Sequence, residues 1–166
     1  MSGSSVERVR AALLAAGHAD TIQAFPEGTR SAAEAAAAVG CAVAQIAKSI
    51  VFRGVPDPAD PSRDRVVLVV ASGANRVNPA KAACASGVSL RRADADWVRS
   101  ATGFAIGGVS PVGHAAEPPP MVLVDRDLAA FDRVWAAAGS PNHVFATTPD
   151  ELLRISGGSW AVVREG

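Results

Sequence analysis

The chain has 166 residues, of which 49% are hydrophobic and 19% are charged, and its 16 Lys and Arg residues balance 16 Asp and Glu residues. This composition excludes a disordered chain. The formal net charge of zero argues against a protein that holds nucleic acid by bulk charge alone. The length predicts a single domain that spans residues 1–166.

The N-terminus lacks the basic start and apolar run of a signal peptide, and no apolar run approaches the ~20 residues that span a bilayer. The two cysteines, Cys41 and Cys84, form no Cys-x-x-Cys motif and have no histidine at metal-ligand spacing. We therefore expect a reduced, cytoplasmic protein without a membrane partner, a metal or a cofactor. Both cysteines are expected to be small buried side chains.

The N-terminal segment predicts a helix that begins at Ser4 or Ser5 and ends at Gly17. Apolar residues recur in it at helical spacing, and these are Val6, Val9, Leu13 and Leu14. Thr21–Phe25 alternates as a short strand does, and Pro26–Gly28 is typical of a turn.

Four further helices are indicated by their start signals. Ser31-Ala-Ala-Glu34 is a capping box, Asn78-Pro79 and Thr148-Pro149 combine a cap with proline at the first helical position, and Asp94 is a cap. A helix is also predicted over Asp127–Ala138. Its apolar residues share one face, and these are Leu128, Phe131, Val134 and Trp135.

Strands are predicted between these helices. Arg65–Ala71 is an unbroken β-branched run, which indicates a central strand buried on both faces. The other predicted strands are Ser49–Arg53, Val88–Arg91, Met121–Asp125, His143–Ala146 and Trp160–Val163. Because helices and strands are interleaved, the fold class is mixed α/β or α+β.

Two features are candidates for chemistry. Lys48 lies in the apolar context Ile46-Ala-Lys-Ser-Ile50 at the entry to a strand, where a buried ammonium group needs a partner. It is either a residue whose stem packs while its amine reaches water, or a cation that meets a phosphate or carboxylate. The stretch Thr102–Gly113 contains four glycines, and it is either a tight connection or a loop whose amides bind a carbonyl or phosphate.

Several enzyme classes lose support because their motifs are absent. The chain has no dinucleotide-binding Gly-x-Gly-x-x-Gly after a strand, no phosphate-binding Gly-x-x-x-x-Gly-Lys-Ser/Thr and no Gly-x-Ser-x-Gly. No Ser–His–Asp or Cys–His set offers a protein nucleophile. His114, beside the glycine-rich loop, is either an acid or base or a solvated loop residue.

Four segments together resemble one family in their order and spacing. They are Ile46–Phe52 with Lys48, Asn78-Pro-Ala-Lys81, Thr102–Gly113, and Gly139 with His143. The chain resembles the YbaK/EbsC family of aminoacyl-tRNA deacylases, which also occurs as the insertion editing domain of bacterial prolyl-tRNA synthetases. The resemblance covers about Thr29 to the C-terminus. It implies a mixed, strongly curved, barrel-like sheet surrounded by helices.

The resemblance also implies an activity, namely hydrolysis of the ester between a wrong amino acid and the 3′ end of a tRNA. The implied substrate is tRNA for proline that carries alanine, serine or cysteine. Because the cysteine-removing branch often lacks the histidine that matches His143, its presence here favours alanine or another small residue. With no excess positive charge, a prolyl-tRNA synthetase or an elongation factor could be needed to present the tRNA.

Each candidate site residue takes its role from the resemblance. Lys48 matches a functional lysine near the terminal adenosine and its phosphate, and Gly139 and His143 match an element that shapes the amino-acid pocket. The loop that holds the aminoacyl end supplies Gly107 and Gly108, whose amides could stabilise an oxyanion. The other substrate-binding candidates are Phe104, Ser110, Pro111, Gly113 and Asn78. The ribose hydroxyl of the substrate could help to activate water.

This hypothesis requires Lys48 and the Gly107-Gly108 turn to line one cavity. Two alternatives remain open from the sequence. One is a non-catalytic module that binds a nucleotide or a tRNA 3′ end through the same cleft, and the other is a scaffold protein whose cleft is vestigial.

Overall fold

The computed structural model describes residues 2–25 and 31–166, so the turn predicted at Pro26–Gly28 lies outside the described residues. The helices are α1 Ser2–Ala15, α2 Ala32–Val39, α3 Pro79–Ser86, α4 Ala95–Thr102 and α5 Pro149–Ser156. The strands are β1 Ile22–Ala24, β2 Ile46–Val55, β3 Arg65–Ser72, β4 Ser89–Arg92, β5 Met121–Asp125, β6 Val134–Ala137, β7 His143–Thr147 and β8 Ser159–Ala161.

The described strands form one mixed sheet in the order β1-β7-β6-β2-β3-β5-β8, with β4 paired to β2 beside this path. β2 pairs antiparallel with β3 and parallel with β6, and β3 pairs parallel with β5. The predicted mixed α+β class, a mixed sheet flanked by helices, is confirmed. The sheet is not closed, since no pairing joins β1 to β8 among the described strands.

The predicted helix starts are confirmed at four positions. The side chains that accept backbone N–H groups at these N-caps are Ser31, Asn78, Asp94 and Thr148. Each of the four helices ends at a glycine in the left-handed region, and these are Gly40, Gly87, Gly103 and Gly157. These signals act within one helical turn, which is why the local sequence is sufficient to place them.

β3 is the buried centre of the sheet, as its sequence predicted. Val66, Leu68 and Val70 face one hydrophobic cluster, which also contains residues of α1 and α4. Val67 and Val69 face a second cluster on the other side of the sheet, together with residues of α3 and β5. The period of two along the strand therefore divides the core into two layers.

The helix predicted over Asp127–Ala138 is wrong. A 3₁₀ turn occupies Arg126–Ala130, and Val134–Ala137 is strand β6. β6 fills the space between β2 and β7, pairing parallel with the former and antiparallel with the latter. Val134 and Ala136 are buried while the residues between and after them are partly exposed, so the period of two prevails. Sheet pairing overrides the helical spacing of the apolar residues.

Two predictions of burial are also wrong. Leu14 is 57% exposed, although Val6, Val9 and Leu13 of the same predicted stripe are buried. Cys84 is exposed and Cys41 is only partly buried, and both are free thiols.

None of the helices in the part of the chain that the structure describes is both long and apolar enough to cross a membrane.

Candidate functional site

A cavity of about 230 Å³ lies where the start of β2 meets the glycine-rich loop and the turn between β6 and β7. Apolar side chains form most of its wall, among them Ile46, Val109 and Trp135. The polar groups of the lining that concern the chemistry are Lys48, Ser49, Gly107, Ser140 and His143. A small apolar cavity with a few convergent polar groups is typical of a ligand site.

Lys48 reaches this cavity from the third position of β2, where it pairs in register with Ala71. It is half-buried, and no carboxylate forms an ion pair with it among residues 2–25 and 31–166. A lysine held at a cavity wall without an anion is suited to receive one from a ligand.

The two glycines of the double-glycine turn have different positions. Gly107 lines the cavity at φ +94°, and its N–H donates to no acceptor within the described chain. Gly108 lies outside the lining, and its N–H donates to the carbonyl of Ala105 at 3.0 Å. Of these two amides, the structure therefore leaves that of Gly107 available to a ligand.

Gly108 is held against the turn between β6 and β7. A Cβ atom built on it would lie 2.8 Å from the Cα of Ser140, which is closer than real Cβ contacts allow. Gly139 is packed in the same way against the backbone of Ser5 and Val6 and has φ +98°. Close backbone approach thus brings the loop, the turn and α1 together.

His143 lies at the start of β7 and is oriented by a hydrogen-bond chain. Asn142 Nδ2 donates to the carbonyl of Phe25 at 3.0 Å, which leaves Asn142 Oδ1 to accept the Ser140 hydroxyl proton at 2.7 Å. Because Ser140 has only one proton, His143 Nδ1 must donate to Ser140 Oγ across their 2.5 Å contact. In the neutral imidazole this contact places the proton on Nδ1 and leaves Nε2 as an acceptor.

Ser140 is therefore not arranged as a nucleophile, although it touches a histidine. Its proton points to Asn142, and its oxygen also accepts the Asn142 N–H at 3.3 Å. A serine nucleophile needs a base that accepts its proton, which is the opposite direction of donation. The hydroxyl instead orients His143.

Four further loop candidates are not among the residues that line the cavity. Phe104, Ser110 and Pro111 are buried, and the Ser110 hydroxyl accepts the N–H of Val112 at 3.2 Å. Gly113 packs on the backbone of α1 at Arg8 and the residue after it. They support the loop, and their contact with a substrate stays a prediction.

Asn78 is placed elsewhere. Its side-chain oxygen accepts the N–H groups of Ala80 and Lys81 as the cap of α3, and it is not among the residues that line the cavity. Its predicted contact with substrate has no support in this geometry.

His114 is packed under the loop and does not line the cavity. Its Nε2–H donates to the carbonyl of Ser110 at 2.6 Å, and its ring stands edge-to-face on Phe104 at 5.1 Å. Burial lowers the pKa of this imidazole below its ordinary value, and the nearby charge of Arg8 lowers it further, against the opposing effect of the bond to Ser110. The position is that of a neutral structural histidine.

Three residues of the candidate site and its support were not predicted from the sequence. Ser49 Oγ is buried beside the cavity and has no hydrogen-bond partner within the described chain, which no sequence signal indicates. Ser140 lies inside the Gly139…His143 element, so that motif could have pointed to it. Arg8 donates from Nη2 to the carbonyl of Gly103 at 2.8 Å and from Nε to that of Gly113 at 3.2 Å, joining the two ends of the loop.

Residues 2–25 and 31–166 contain no group of three or more His, Cys, Asp or Glu side chains that could hold a metal ion.

The family model of the aminoacyl-tRNA editing domain matches residues 26–155. The chain belongs to this family. Every residue that lines the cavity falls inside the matched range, whereas α1 and its Arg8 precede it.

Individual relatives cover between 80% and 98% of this chain. A crystal structure described as that of "a putative trans-editing enzyme for prolyl tRNA synthetase" is 42% identical, covers 98% of each chain and superposes with a TM-score of 0.87. Hypothetical protein APE2540 is 29% identical over 95% of this chain and 99% of its own, with a TM-score of 0.82. Uncharacterized protein YwhH of Bacillus subtilis (strain 168) is 34% identical over 80% of this chain and 78% of its own. The predicted resemblance to the YbaK-like deacylases is thereby confirmed.

Proposed function

We propose that this editing domain is a free-standing hydrolase that removes a small wrong amino acid from tRNA, with tRNA for proline carrying alanine, serine or cysteine as its substrate. The observation that carries the proposal is that Lys48 and the amide of Gly107 line one small apolar cavity. An aminoacyl ester is already activated, so a site that places a carbonyl, a cation and a water molecule is sufficient.

The substrate fits the cavity in one direction. The side chain of the amino acid packs against Ile46, Val109 and Trp135, and the ester carbonyl points to the N–H of Gly107. Lys48 faces the phosphate of the terminal adenosine. As the tetrahedral intermediate forms, the Gly107 amide stabilises the new negative charge.

Water is the nucleophile, and the products are the free amino acid and uncharged tRNA. The ribose hydroxyl next to the ester positions this water. In the neutral form of His143 the proton lies on Nδ1, so Nε2 is an acceptor that can hold the water or the α-ammonium group of the substrate.

Selection against proline follows from size and shape. One methylene is worth only ~1–3 kcal/mol in a pocket of this kind, so the cavity discriminates modestly. By volume the cavity of about 230 Å³ admits alanine, serine and cysteine alike, so the preference among them depends on its shape and polar contacts. The chain is formally neutral, so we expect weak intrinsic affinity for tRNA and a prolyl-tRNA synthetase or elongation factor that presents it in the cytoplasm.

The test is hydrolysis of tRNA for proline charged with radiolabelled alanine, serine, cysteine or proline, followed by the loss of bound label. Lys48→Ala should lower kcat/KM about 10- to 100-fold, since a hydrogen bond to a charged group is worth about 1.5–3 kcal/mol. Lys81→Ala is the matched control, because its Nζ donates to the carbonyls of Arg164 and Gly166 away from the cavity. If no ester is cleaved above its spontaneous rate while an aminoacyl-adenosine analogue binds, the protein is a binding module instead.

A further inference from the structure

A second groove adjoins the cavity and shares two residues with it. The groove has a volume of about 470 Å³ and lies between β2 and the segment that precedes α3. Its lining consists of Lys48, Ile50 and Phe52 from β2 and of residues 74–77. Since Lys48 and Ile50 also line the cavity, the groove and the cavity adjoin each other at these two residues.

The groove follows one face of β2. Lys48, Ile50 and Phe52 alternate with inward residues of the opposite layer, so their side chains share a face. From Lys48 to Phe52 the strand rises about 13 Å, at roughly 3.3 Å a residue. A polynucleotide that leaves the cavity beside Lys48 would therefore run along this face of the strand, and we call this path the track.

The chemistry of this track is aromatic and cationic. Phe52 is half-buried, with part of its ring packed in the second hydrophobic cluster and the rest lining the groove. Arg76 is exposed and forms no ion pair within the described residues.

Two carboxylates close to this track are already engaged. Asn75 Nδ2 donates to Asp125 and Asp127, and Asp127 is also paired with Arg164 at 3.6 Å. The groove itself presents Lys48 and Arg76 without an acid in its lining.

We propose that this groove binds the single-stranded nucleotides that precede the terminal adenosine of the tRNA, which deepens the proposed function and rests on it. A base stacks on the exposed part of Phe52, and Arg76 and Lys48 neutralise successive phosphates. Stacking platforms combined with cations along the backbone are how proteins hold single-stranded RNA. Free nucleotides share this chemistry, but the two lining residues that the groove shares with the acyl cavity favour the 3′ tail.

The direct test is binding of an uncharged trinucleotide, 5′-fluorescein-CCA, measured by fluorescence anisotropy at several salt concentrations. Phe52→Leu keeps an apolar side chain but removes the stacking face, and should weaken binding roughly 5- to 100-fold. Arg76→Gln should weaken binding and reduce the salt slope by about one unit. Arg99→Gln is the control and should change nothing, because α4 packs through Val98 on the opposite layer of the sheet.

The kinetic test compares alanyl-adenosine with alanyl-CCA as substrates. The groove predicts a higher kcat/KM for alanyl-CCA, and Arg76→Gln should remove that advantage without changing hydrolysis of alanyl-adenosine. If both substrates react at equal rates and Arg76→Gln leaves trinucleotide binding unchanged, the proposal for the groove is wrong and the proposed deacylase activity is unaffected. If trinucleotide binding depends on Arg76 but neither ester is cleaved, the proposed deacylase activity is wrong and the proposal for the groove is supported. If Phe52→Leu fails to fold, Arg76→Gln alone is sufficient for the test, because the Arg76 side chain is exposed.

Discussion

Gly108 and Ser140 meet backbone to backbone, at a distance that leaves no room for a side chain: a Cβ atom on Gly108 would lie 2.8 Å from Ser140 Cα and 3.0 Å from its nitrogen. This contact joins the glycine-rich loop to the turn that carries His143. It explains why a glycine is needed at a position that does not itself line the cavity.

We expect Gly108→Ala to push the loop away from the turn between β6 and β7 and to lower kcat/KM at least tenfold, because the clash is with backbone and cannot be relieved by a rotamer change. Gly87→Ala is the control. Its added methyl meets nothing within 4 Å but sits at φ +75°, so it should cost about 1 kcal/mol of unfolding free energy and leave hydrolysis unchanged. Equal activity of the two variants would show that the close approach has no bearing on the site.

Ser140→Ala should release His143 from its fixed tautomer. The variant leaves Nδ1 without its acceptor, at a cost of about 1–3 kcal/mol, and allows the proton to move to Nε2. Nitrogen-15 NMR of the imidazole should show Nδ1–H in the parent protein and a mixture of tautomers in the variant, with a lower kcat/KM. Ser156→Ala, which removes a hydroxyl that donates to the Leu153 carbonyl in α5, should leave both readouts unaltered. An unchanged tautomer in Ser140→Ala would contradict the hydrogen-bond chain.

Arg8 ties together the two ends of the loop, and its guanidinium also lies 4.8 Å from the centre of the Phe104 ring. Arg8→Lys keeps the charge but cannot donate to both carbonyls in this geometry, so we expect a loss of about 1–3 kcal/mol in the free energy of unfolding and reduced hydrolysis. Urea denaturation measures the first and the deacylation assay the second. Arg10→Lys alters ion pairs to Glu7 and Asp20 that do not involve the loop, so it should cost markedly less stability than Arg8→Lys and leave hydrolysis unchanged. Comparable losses in the two variants would refute the special role of Arg8.

The partly buried imidazole of His114 should make stability depend on pH. Its pKa is lower in the folded chain than the ~6.5 of an unfolded histidine, so below pH 6.5 the unfolded state binds more protons than the folded state. Stability is therefore complete above about pH 6.5 and is lost as the pH falls through the folded pKa.

Replacing this side chain by His114→Gln should flatten the part of the pH profile that His114 contributes. The measurement is the free energy of unfolding in urea between pH 5 and 8 for both proteins. The difference between them isolates His114 from the other titrating groups, and a difference that does not vary with pH would contradict the prediction.

The sequence was sufficient for features that depend on neighbours within a few residues. Helix caps act inside one helical turn, and the predicted ones are Ser31, Asn78, Asp94 and Thr148. The apolar run of β3 predicts a strand with two buried faces. The order of Lys48, the glycine-rich loop and Gly139…His143 was enough to predict the family. The functional roles of these residues stay predictions.

Tertiary structure decided the rest. Val134–Ala137 lies in a segment with helical spacing of apolar residues, but it forms strand β6. The reason is that its backbone pairs with β2 on one side and with β7 on the other. The local pattern could not show that the Gly108 N–H donates to a carbonyl within its own turn. It also could not show that Ser140 accepts a hydrogen bond from His143 Nδ1, or that Arg8 donates to carbonyls of a loop about a hundred residues away. These depend on which groups compete for a donor or acceptor after the chain has packed, and that competition is settled by contacts between segments distant in sequence.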